Sequence, residues 1–505
     1  MENLLKKESI VAHHYNSFTE FLEKDLLEIC ANTIRMHDAS TIAFTNITMQ
    51  PPTILDSDSS TRLIDVTEAR LRGLNYSSPM YMDITFNSVQ GIIKREPRVF
   101  MGYMPILVGS RVCKSIRSKD DLGAYFVING KEKCVIAQER GAANKMYLYE
   151  KKTGSTYMSI LCESKNGLRC VNTITRSWNN TIDFKCSAIK ESIPIVILLL
   201  ALSEPKTTLL EIYKMLPIQL TSFIQRSFAS LGSITDQVSA ERYLDHEMKS
   251  GLKYSDSTDK ERSWYKYIFP QIHDEKISIR RQSERKRQCI IKGIQLVYRR
   301  IQGKMQLSDR DNWENKRIDT TGVLMTALFK TTWQTSCRAF VRAIGKYRMR
   351  ILDDTQLKLT KIWPNEMITN NLKYALSTGN WKSSASNKIH KVGVAQSVYR
   401  FTPTSVLSMQ RRVNSSYAKE LKMPQPRQLH ASTFGFLCPV ETPEGGNIGL
   451  IKQLALCTQV STYIESDTIV RWLAKYNPNP EGLENDDNDS NLFHIAYPTI
   501  WLDGT

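Results

Sequence analysis

The sequence predicts an α+β protein made of several domains. The chain has 505 residues, more than one hydrophobic core usually serves, so we expect about two to four domains. Apolar residues at helical spacing alternate along it with short runs of β-branched and aromatic residues, which predicts both helices and strands. Its apolar share of 41% and its charged share of 24% are typical of a globular protein.

The N-terminal part predicts a helix followed by strands. Residues 1–36 carry apolar side chains at helical spacing, namely Phe18, Phe21, Leu22, Leu26 and Leu27. From about residue 40 to 135, the runs "MYMDITF", "RVFMGYMPILVG" and "GAYFVINGKEKCVIAQ" predict strands, because Gly, Asn and Asp separate them. In the last run, Asn129-Gly130 predicts a type I′ hairpin turn, since both residue types tolerate a positive φ.

The rest of the chain predicts helices and then irregular structure. Residues 183–345 are mostly helical in pattern, with breaks at Pro205 and Pro217. The run "IPIVILLLAL" (193–202) has about half the length that a bilayer span needs, so it predicts a buried strand or helix. After residue 400 come loops rich in Pro, Ser and Gly, and the turn "CPVETPEGGNIGL" (438–450) leads into an apolar, helix-like run.

The overall charge and the cysteines narrow the function classes. A net charge of +17 indicates either a solubility device or a polyanionic partner, nucleic acid or anionic lipid. The ten cysteines occur singly with no CxxC pair, which argues against a zinc site and favours reduced thiols. The N-terminus has no secretory signal pattern, and no apolar stretch is long enough to cross a bilayer. We therefore expect a soluble intracellular protein with no membrane partner.

A first basic cluster lies between Lys276 and Lys304. It holds ten Lys or Arg residues, among them Arg285, Lys286 and Arg287, against the single acidic residue Glu284. A helix there would present several cations that could neutralise phosphates. A solvated surface is the alternative, since most runs of charge are solvated.

A second basic cluster lies on loops broken by Pro and Ser. Its cations stand against the single acidic residue Glu420, and they are Arg411, Arg412, Lys419, Lys422 and Arg427. Loop backbone can be shaped around a strand of nucleic acid, so phosphate contact is the favoured interpretation here.

No self-contained active site is visible in the sequence. The patterns GxxxxGK[ST], HExxH, GxSxG and GxGxxG are all absent. The only histidine pair, His13-His14, falls where a surface helix is expected to begin. Asp309, Arg310 and Asp311 favour a salt-bridged loop over a Mg²⁺ site. We therefore expect no catalytic residue within this chain alone.

The turn at 438–450 closely resembles the signature of a known family. That family is the second-largest (β or Rpb2-type) subunit of multisubunit DNA-directed RNA polymerases. Further blocks resemble it in the same order: "EARLRGLNYSSPMYMDI" (68–84), "VFMGYMPILVGSRVC" (99–113), "DLGAYFVINGKEKCVIAQER" (121–140), "DRDNWENKRIDTTGVLMTALFK" (309–330), "LKYALSTGNW" (372–381) and "MPQPRQLHASTFGFLCPVETPEG" (423–445). The set is more similar to the archaeal, eukaryotic and viral branch than to the bacterial one.

The resemblance implies a domain order. Residues 1–182 and 345–395 would form the protrusion, with the lobe inserted at 183–344. Residues 396–470 would form the fork, and 471–505 would begin the external region. The hybrid-binding and clamp regions of the family lie beyond these blocks. In the family, protrusion and lobe form one side of the DNA cleft, and the fork lies beside the active centre.

The resemblance also implies site residues, a cofactor and partners. Glu441, Glu444, Gly445 and Asn447 would lie next to the active centre, and Gln396 would join the basic residues of both clusters in contacting nucleic acid. The two glutamates would be paired with fork arginines or poised near metal-bound substrate. Mg²⁺ would be held mainly by the largest subunit, and the partners would be that subunit, the C-terminal half of the second subunit if the gene is split, smaller subunits, template DNA and nascent RNA.

Two departures from the family pattern, and two alternatives, remain open at this point. Gly123 is followed by Ala124 where the family has a second glycine, and "SYAKELK" (416–422) lacks the glycine of the family's fork loop. The favoured function is a polymerase subunit that is inactive alone. One alternative is a non-catalytic nucleic-acid-binding protein derived from that subunit. The other is an assembly protein whose cations bind an acidic partner. The host decides between nucleus, cytoplasm and virion.

Overall fold

The protein was analysed as a computed structural model that describes most of the chain. The residues it describes are 10–31, 33–36, 39–55, 61–88, 93–113, 121–164, 167–204, 207–229, 231–232, 234–249, 264–273, 277–348, 358–382, 390–417, 420, 423–461, 468–469 and 472. Lys419 and Lys422, the acidic stretch 477–490 and Pro205 lie outside these residues.

Helices occur in both halves of the described chain. They are α1 (Ala12–Glu20), followed by a π-helical turn (Phe21–Asp25), α2 (Leu26–Cys30), α3 (Val66–Leu71), α4 (Ile195–Ala201), α5 (Leu209–Met215), α6 (Ile218–Ala229), α7 (Gln237–Glu247), α8 (Ile279–Ile301), α9 (Thr321–Arg348), α10 (Leu359–Ile362), α11 (Asn365–Thr378) and α12 (Pro403–Gln410).

Strands fill most of the first half and return near the end. They are β1 (Ile34–Arg35), β2 (Thr41–Met49), β3 (Thr53–Leu55), β4 (Thr61–Leu63), β5 (Ser77–Asn87), β6 (Ile93–Pro105), β7 (Phe126–Ile128), β8 (Lys131–Val135), β9 (Ala137–Gly141), β10 (Met146–Glu150), β11 (Thr156–Glu163), β12 (Arg169–Arg176), β13 (Ile182–Cys186), β14 (Ile193–Pro194), β15 (Lys316–Asp319), β16 (Trp381–Lys382), β17 (His390–Lys391), β18 (Ala395–Ser397), β19 (Arg412–Asn414) and β20 (Ile451–Gln453). The mixture confirms the predicted α+β class.

The first compact unit comprises residues 1–140 and 311–463. Its larger sheets have the strand orders β1-β2-β5-β6, β15-β9-β19-β20 and β18-β8-β7, and α11 packs on β6 while α9 packs on α1 and α11. Aromatic rings fill the centre of its core: Phe44 meets Trp333 and Trp363 edge to face, with ring centroids 4.9 and 5.6 Å apart. The Trp363 indole also donates to the Met101 carbonyl, so a buried polar group is satisfied.

The predicted N-terminal helix is confirmed, with one difference in its buried face. Phe18, Phe21 and Leu26 are fully buried, whereas Leu27 is 44% exposed. The π-helical turn between α1 and α2 shifts the apolar stripe by one residue, which explains the difference.

The predicted hairpin is confirmed as well. Asn129 (φ 51°) and Gly130 (φ 71°) join β7 to β8, and both lie in the left-handed region that a type I′ turn requires. Ala124 also has a positive φ (55°), directly after Gly123 (φ 67°). The turn therefore keeps a left-handed backbone at this departure from the family pattern, at a steric cost of about 1–2 kcal/mol for a residue with a Cβ.

The second compact unit includes residues 141–310. Strands β10 to β14 form an antiparallel five-stranded sheet, and α8 packs on one face of it, where Gly293 lies against Met158 and Ile174. All seven residues of α4 are buried, which confirms that the apolar run at 193–202 is an element of the core. Pro217 separates α5 from α6, as predicted.

The compact units divide the chain at other positions than the predicted inserted domain. They meet at 140/141 and 310/311, whereas the predicted insertion runs from 183 to 344. Strands β10 to β14 share a core with α4 to α8, and most of the buried face of α9 belongs to the core of the first unit. Protrusion, lobe and fork remain predicted names for parts of the chain. No helix of the described residues is long and apolar enough to cross a membrane.

Candidate nucleic-acid interface

The turn at 438–450 is held at both ends and in its middle by hydrogen bonds. The Cys438 amide donates to the Gln453 carbonyl (2.8 Å). The Thr442 hydroxyl accepts from the Gly449 amide (2.9 Å) and donates to the Ile451 carbonyl (3.0 Å). After the turn the chain forms strand β20, paired antiparallel with β19, so the helix predicted there is wrong.

Arg427 braces the turn from outside it. One guanidinium nitrogen, Nη1, donates to the carbonyls of Gly446 (2.8 Å) and Ile448 (3.0 Å). These carbonyls lie in irregular backbone, which leaves them without the partners that a helix or sheet provides. A predicted nucleic-acid contact, Arg427 therefore also has a structural task in this chain.

The three glycines of the turn have different environments. Gly449 (φ 70°) is crowded, since a Cβ there would come within 2.2 Å of the Arg427 carbonyl oxygen. Gly445 (φ 74°) needs a left-handed backbone but has open space around it. Gly446 has open space and no positive φ. The turn thus presents an open backbone surface at 445–446 and a closely packed one at 449.

The two glutamates of the turn are exposed. Glu441 accepts a hydrogen bond from the Ser408 hydroxyl at the end of α12, and its amide donates to the Cys438 sulfur. Within the described ranges no ion pair involves Glu441 or Glu444, so the predicted pairing with a fork arginine is absent there.

Asn447 lies in the short 3₁₀ turn Gly445–Asn447 and is half-buried. Its side-chain oxygen is buried and has no hydrogen-bond partner within the described chain. A buried amide oxygen without a partner costs roughly 1–3 kcal/mol, so this group can accept a hydrogen bond from a donor outside the described residues.

Arg411 does not face solvent. It is 3% exposed, and its guanidinium donates to the carbonyls of Ile10, Ala455 (2.6 Å) and Thr458 (3.2 Å). Burial lowers the pKa of Arg411 from its ordinary value. The predicted phosphate contact at Arg411 is thus wrong for this conformation, because its donors are used to hold the N-terminal segment and the segment after β20.

The remaining predicted contacts on this part of the chain differ in accessibility. Arg412 is half-buried in β19, and no carboxylate of the described residues pairs with it. Gln396 lies in β18, opposite Cys134 of β8, and its amide donates to the Gly393 carbonyl (3.0 Å). Of the predicted pair, Arg412 is therefore the cation whose guanidinium makes no hydrogen bond to the described residues.

A buried charge cluster anchors the strand that follows the turn. Glu139 of β9 is 2% exposed and binds the ammonium groups of Lys316 on β15 (2.9 Å) and Lys452 on β20 (2.6 Å). Burial by itself would raise the pKa of Glu139, but the two ammonium groups outweigh it and the pKa is lowered. Burial would likewise lower the pKa of Lys316, and the Glu139 charge reverses that, so it is raised. Three strands of one sheet are thereby joined.

A buried histidine pair fastens α1 to the end of α12. The nitrogen Nε2 of His14 lies 2.7 Å from the Gln410 carbonyl oxygen, and its Nδ1 lies 2.6 Å from the Thr321 hydroxyl. His13 lies beside it, with ring centroids 4.1 Å apart. Burial lowers the pKa of His14 from 6.5 to about 4, and the nearby Arg411 charge acts in the same direction. The expected surface position of this pair is wrong.

The first basic cluster forms helix α8 and divides its cations between core and solvent. Lys286 is fully buried, donates to the Tyr265 carbonyl (2.6 Å) and lies 3.5 Å from the centroid of the Tyr265 ring. Arg285 and Arg287 are half-buried, and Arg287 contacts the Met215 sulfur (3.5 Å). Arg281 and Arg299 are exposed. The predicted phosphate contact is wrong for Lys286 in this conformation, because the helix turns that residue toward the core.

Comparison with known proteins decides the family. The family model described as "RNA polymerase beta subunit" matches residues 9–370, and "RNA polymerase Rpb2, domain 3" matches residues 396–460. The chain belongs to the RNA polymerase second-subunit family. The Rpb2 domain 3 match contains the braced turn, Arg411, Arg412 and Arg427.

Curated proteins similar to this chain come from eukaryotes and archaea. It is 28% identical over 572 residues to "DNA-directed RNA polymerase II subunit RPB2" of Schizosaccharomyces pombe, covering 99% of this chain and 46% of that protein. It is 29% identical over 489 residues to "DNA-directed RNA polymerase subunit Rpo2" of Sulfolobus acidocaldarius, covering 93% and 42%. It is 28% identical over 528 residues to "DNA-directed RNA polymerase II subunit 2" of Arabidopsis thaliana, covering 93% and 44%. The chain thus spans about half the length of the curated relatives it matches.

The buried ion pairs that join the strands around the turn were not predicted from the sequence. Glu139 lies within the block "DLGAYFVINGKEKCVIAQER", where a single acid follows an apolar strand pattern, and that position was the available signal. Lys316 and Lys452 carried no local sign of burial. Among the described residues, no three His, Cys, Asp or Glu side chains form a group that could hold a metal ion.

Proposed function

We propose that this chain acts in a DNA-directed RNA polymerase as the N-terminal part of its second-largest subunit. The observation that carries the proposal is the turn at 438–450. Its backbone is fixed by Thr442 and Arg427, its surface at 445–446 is open, and two exposed carboxylates stand on it. Such a turn can lie against a substrate without side-chain bulk.

The chain would contribute positioning and electrostatics to template-directed nucleotidyl transfer. Bound Mg²⁺, held mainly by the largest subunit, would supply charge stabilisation at the transferring phosphate. In this chain Glu441, Glu444, Gly445 and Asn447 would lie beside the active centre, and the orphaned amide oxygen of Asn447 would accept a hydrogen bond from the substrate or a partner chain. The chain alone would be inactive.

Nucleic acid would be held by cations of both basic clusters. In the second cluster these are Arg412, Lys419, Lys422 and Arg427, the last of which also donates to two carbonyls of the turn. In the first cluster they are Arg285 and Arg287, beside the exposed Arg281. Phosphate contacts of this kind fix register without reading bases. Arg411 and Lys286 would act only by stabilising the protein.

The proposed placement follows the family. The predicted protrusion, lobe and fork would form one side of the DNA cleft and part of the active-centre wall. The protein would act in the compartment where the host transcribes its genes. The partners would be the largest subunit, the C-terminal half of the second subunit, smaller subunits, template DNA and nascent RNA.

The test is to tag this chain in its native source, purify it gently, and assay the purified material. We expect mass spectrometry to find a largest subunit and sequence of the C-terminal half of the second subunit, and we expect DNA-dependent RNA synthesis. Recovery of the chain with nucleic acid alone would overturn the proposal and favour a binding protein derived from the subunit. Recovery with an acidic protein alone would favour an assembly role.

A further inference from the structure

The five-stranded sheet of the second unit has two unlike faces. Met158, Ile160 and Ile174 are fully buried and point toward the side that α8 covers. The alternate residues of the same strands point the other way and are partly or fully exposed: Tyr149, Tyr157, Ser159, Leu161, Val171, Thr173, Thr175 and Lys185. Side chains alternate between the faces of a strand, so these residues share the outer face.

Three tyrosines of β10 and β11 lie on that side of the sheet: Tyr149 and Tyr157 are partly exposed, and Tyr147 is buried. Tyr149 of β10 is paired with Tyr157 of β11, and their ring centroids are 5.7 Å apart. Tyr147 stacks beside Tyr149, with centroids 6.1 Å apart and planes inclined by 15°. We call this row, with the cations above it, the tyrosine ladder.

Each ring of the tyrosine ladder has a cation above it. The Arg310 guanidinium lies 4.1 Å from the Tyr149 centroid, and it also donates to the Tyr157 hydroxyl (3.4 Å). The Lys151 ammonium lies 5.9 Å from the Tyr157 centroid, and that of Lys145 lies 6.0 Å from the Tyr147 centroid. The rings therefore hold three positive charges in a row, at a spacing set by the strands.

The carboxylates of this outer face are already engaged. Glu163 binds Arg169 (2.7 Å), and Asp183 accepts a hydrogen bond from the Ser177 hydroxyl. The Arg310 and Lys151 charges are thus not cancelled by the acids of the same face.

We propose that the tyrosine ladder is a binding site for single-stranded nucleic acid. A row of cations suits the row of phosphates along a strand, and release of counterions drives such contacts. Aromatic and guanidinium planes suit bases that have no partner strand, because a base within a duplex has both faces covered. The outer face adds hydroxyl donors at Ser159, Thr173 and Thr175 for sugar and phosphate oxygens. The site lies in the second compact unit, apart in sequence from the turn at 438–450, and goes beyond the function proposed above.

The test measures binding of the purified full chain to a labelled oligothymidylate by fluorescence anisotropy at several salt concentrations. The variant Lys151→Gln with Arg310→Gln removes two ladder charges. We expect weaker binding and a smaller slope of log K against log salt, by about 1.4, since each phosphate contact on a single strand contributes about 0.7. The matched control is Lys214→Gln with Arg242→Gln, two exposed cations on α5 and α7 of the same unit, which should leave affinity and slope unchanged.

A second arm separates stacking from charge. We expect Tyr157→Leu to weaken binding of oligothymidylate at least about fivefold, because stacking of one base contributes about 1–3 kcal/mol. Tyr157→Phe keeps the ring and should bind nearly as well. An abasic strand of equal length, which has the phosphates without the bases, should bind wild type and Tyr157→Leu alike.

Two results would overturn the proposal. One is an equal loss of affinity in the ladder variant and in the control variant, which would mean that the strand is attracted by the net positive charge of the whole chain. The other is preference for duplex over single strand, with no effect of Tyr157→Leu. The measurement needs no companion subunit, so failure of polymerase assembly and failure of the ladder are separate outcomes.

Discussion

Segment 411–427 and helix α8 are both rich in cations, and the structure uses those cations differently. In the segment, Arg411 and Arg427 donate to backbone carbonyls of loops. In the helix, Arg281 and Arg299 face solvent, whereas Lys286 donates to the Tyr265 carbonyl and Arg300 to the Met305 carbonyl.

The difference has a simple physical cause. A helix satisfies its own carbonyls, so its cations remain available to solvent or to another molecule. Irregular backbone leaves carbonyls without partners, and a guanidinium with five donors is suited to hold several of them. Even Lys286 follows this rule, because its acceptor, Tyr265, lies in a turn before the helix. A basic loop is therefore weaker evidence of a nucleic-acid interface than a basic helix of equal charge.

The sharpest test of this comparison is the neighbouring pair Arg411 and Arg412. Replacing Arg411 by Gln should lower the free energy of unfolding by on the order of 4 kcal/mol, since three buried carbonyl bonds to a charged donor are lost. Replacing half-buried Arg412 by Gln should cost under about 1 kcal/mol and should instead weaken binding to nucleic acid. Chemical denaturation followed by tryptophan fluorescence, and DNA binding against salt, measure both. Equal stability losses in the two variants would contradict the assigned roles.

A variant of Glu139 tests whether buried ion pairs stabilise the turn-bearing segment as strongly as the hydrogen bonds of Arg411 do. Glu139→Gln leaves Lys316 and Lys452 without their shared carboxylate, so we expect a loss of about 3 kcal/mol. Hydrogen exchange should accelerate in β9, β15 and β20, the three strands whose residues form this cluster.

The matched control is Glu163→Gln in the second unit. Its partner Arg169 is 42% exposed, so the ion pair contributes about 1 kcal/mol or less. A loss at Glu139 no larger than the loss at Glu163 would show that the buried cluster does not hold the strands.

The glycines of the turn should give a graded series of stability losses. Gly449→Ala meets the Arg427 carbonyl and a positive φ, and should cost about 2 kcal/mol or more. Gly445→Ala meets only the positive φ and should cost about 1 kcal/mol. Gly446→Ala should fall within about 0.5 kcal/mol of wild type. Thermal unfolding of the three variants checks the order, and a reversed order would contradict the described turn.

The histidine pair gives a smaller effect that depends on pH. The folded protein keeps His14 neutral down to about pH 4, whereas the unfolded chain protonates it below its ordinary pKa of 6.5. The contribution of His14 to stability is therefore complete above about pH 6.5 and falls as the pH drops, by about 1.4 kcal/mol at a pH of about 5.5. His14→Asn should remove this contribution, whereas His13, whose pKa is also lowered by burial, keeps its own. His246→Gln, at an exposed histidine of α7, should keep it. An identical pH profile in all three proteins would contradict the assignment.

Much of the fold was predictable because it depends on local patterns. Spacing of apolar residues predicted the N-terminal helix, and Asn129-Gly130 predicted the hairpin, since both signals act within a few residues. The boundaries of the compact units were not predictable from local patterns. Helix α9 joins the first core through contacts with residues some 300 positions earlier in the chain, such as Thr326 with Asp25.

The candidate site was predictable in its motif and much less so in its side chains. The motif "CPVETPEGGNIGL" pointed to the family because it resembles the family's signature. Burial of Arg411, Lys286 and His14 could not be read from the sequence. Charged and polar residues are mostly exposed. The partners that allow these three to be buried, such as the carbonyls of Ala455 and Tyr265, cannot be recognised in the sequence.

The central claim is that the open surface of the turn at 445–446 faces the substrate of a polymerase. The most direct measurement is DNA-dependent RNA synthesis by the assembly purified with Gly446→Ala, beside one purified with Gly345→Ala on α9, where a Cβ also meets open space. We predict that both variants fold and assemble as wild type does, and that only Gly446→Ala slows RNA synthesis, by about tenfold or more, since a misplaced reacting group costs up to about a hundredfold. Equal rates in the two assemblies would contradict the claim.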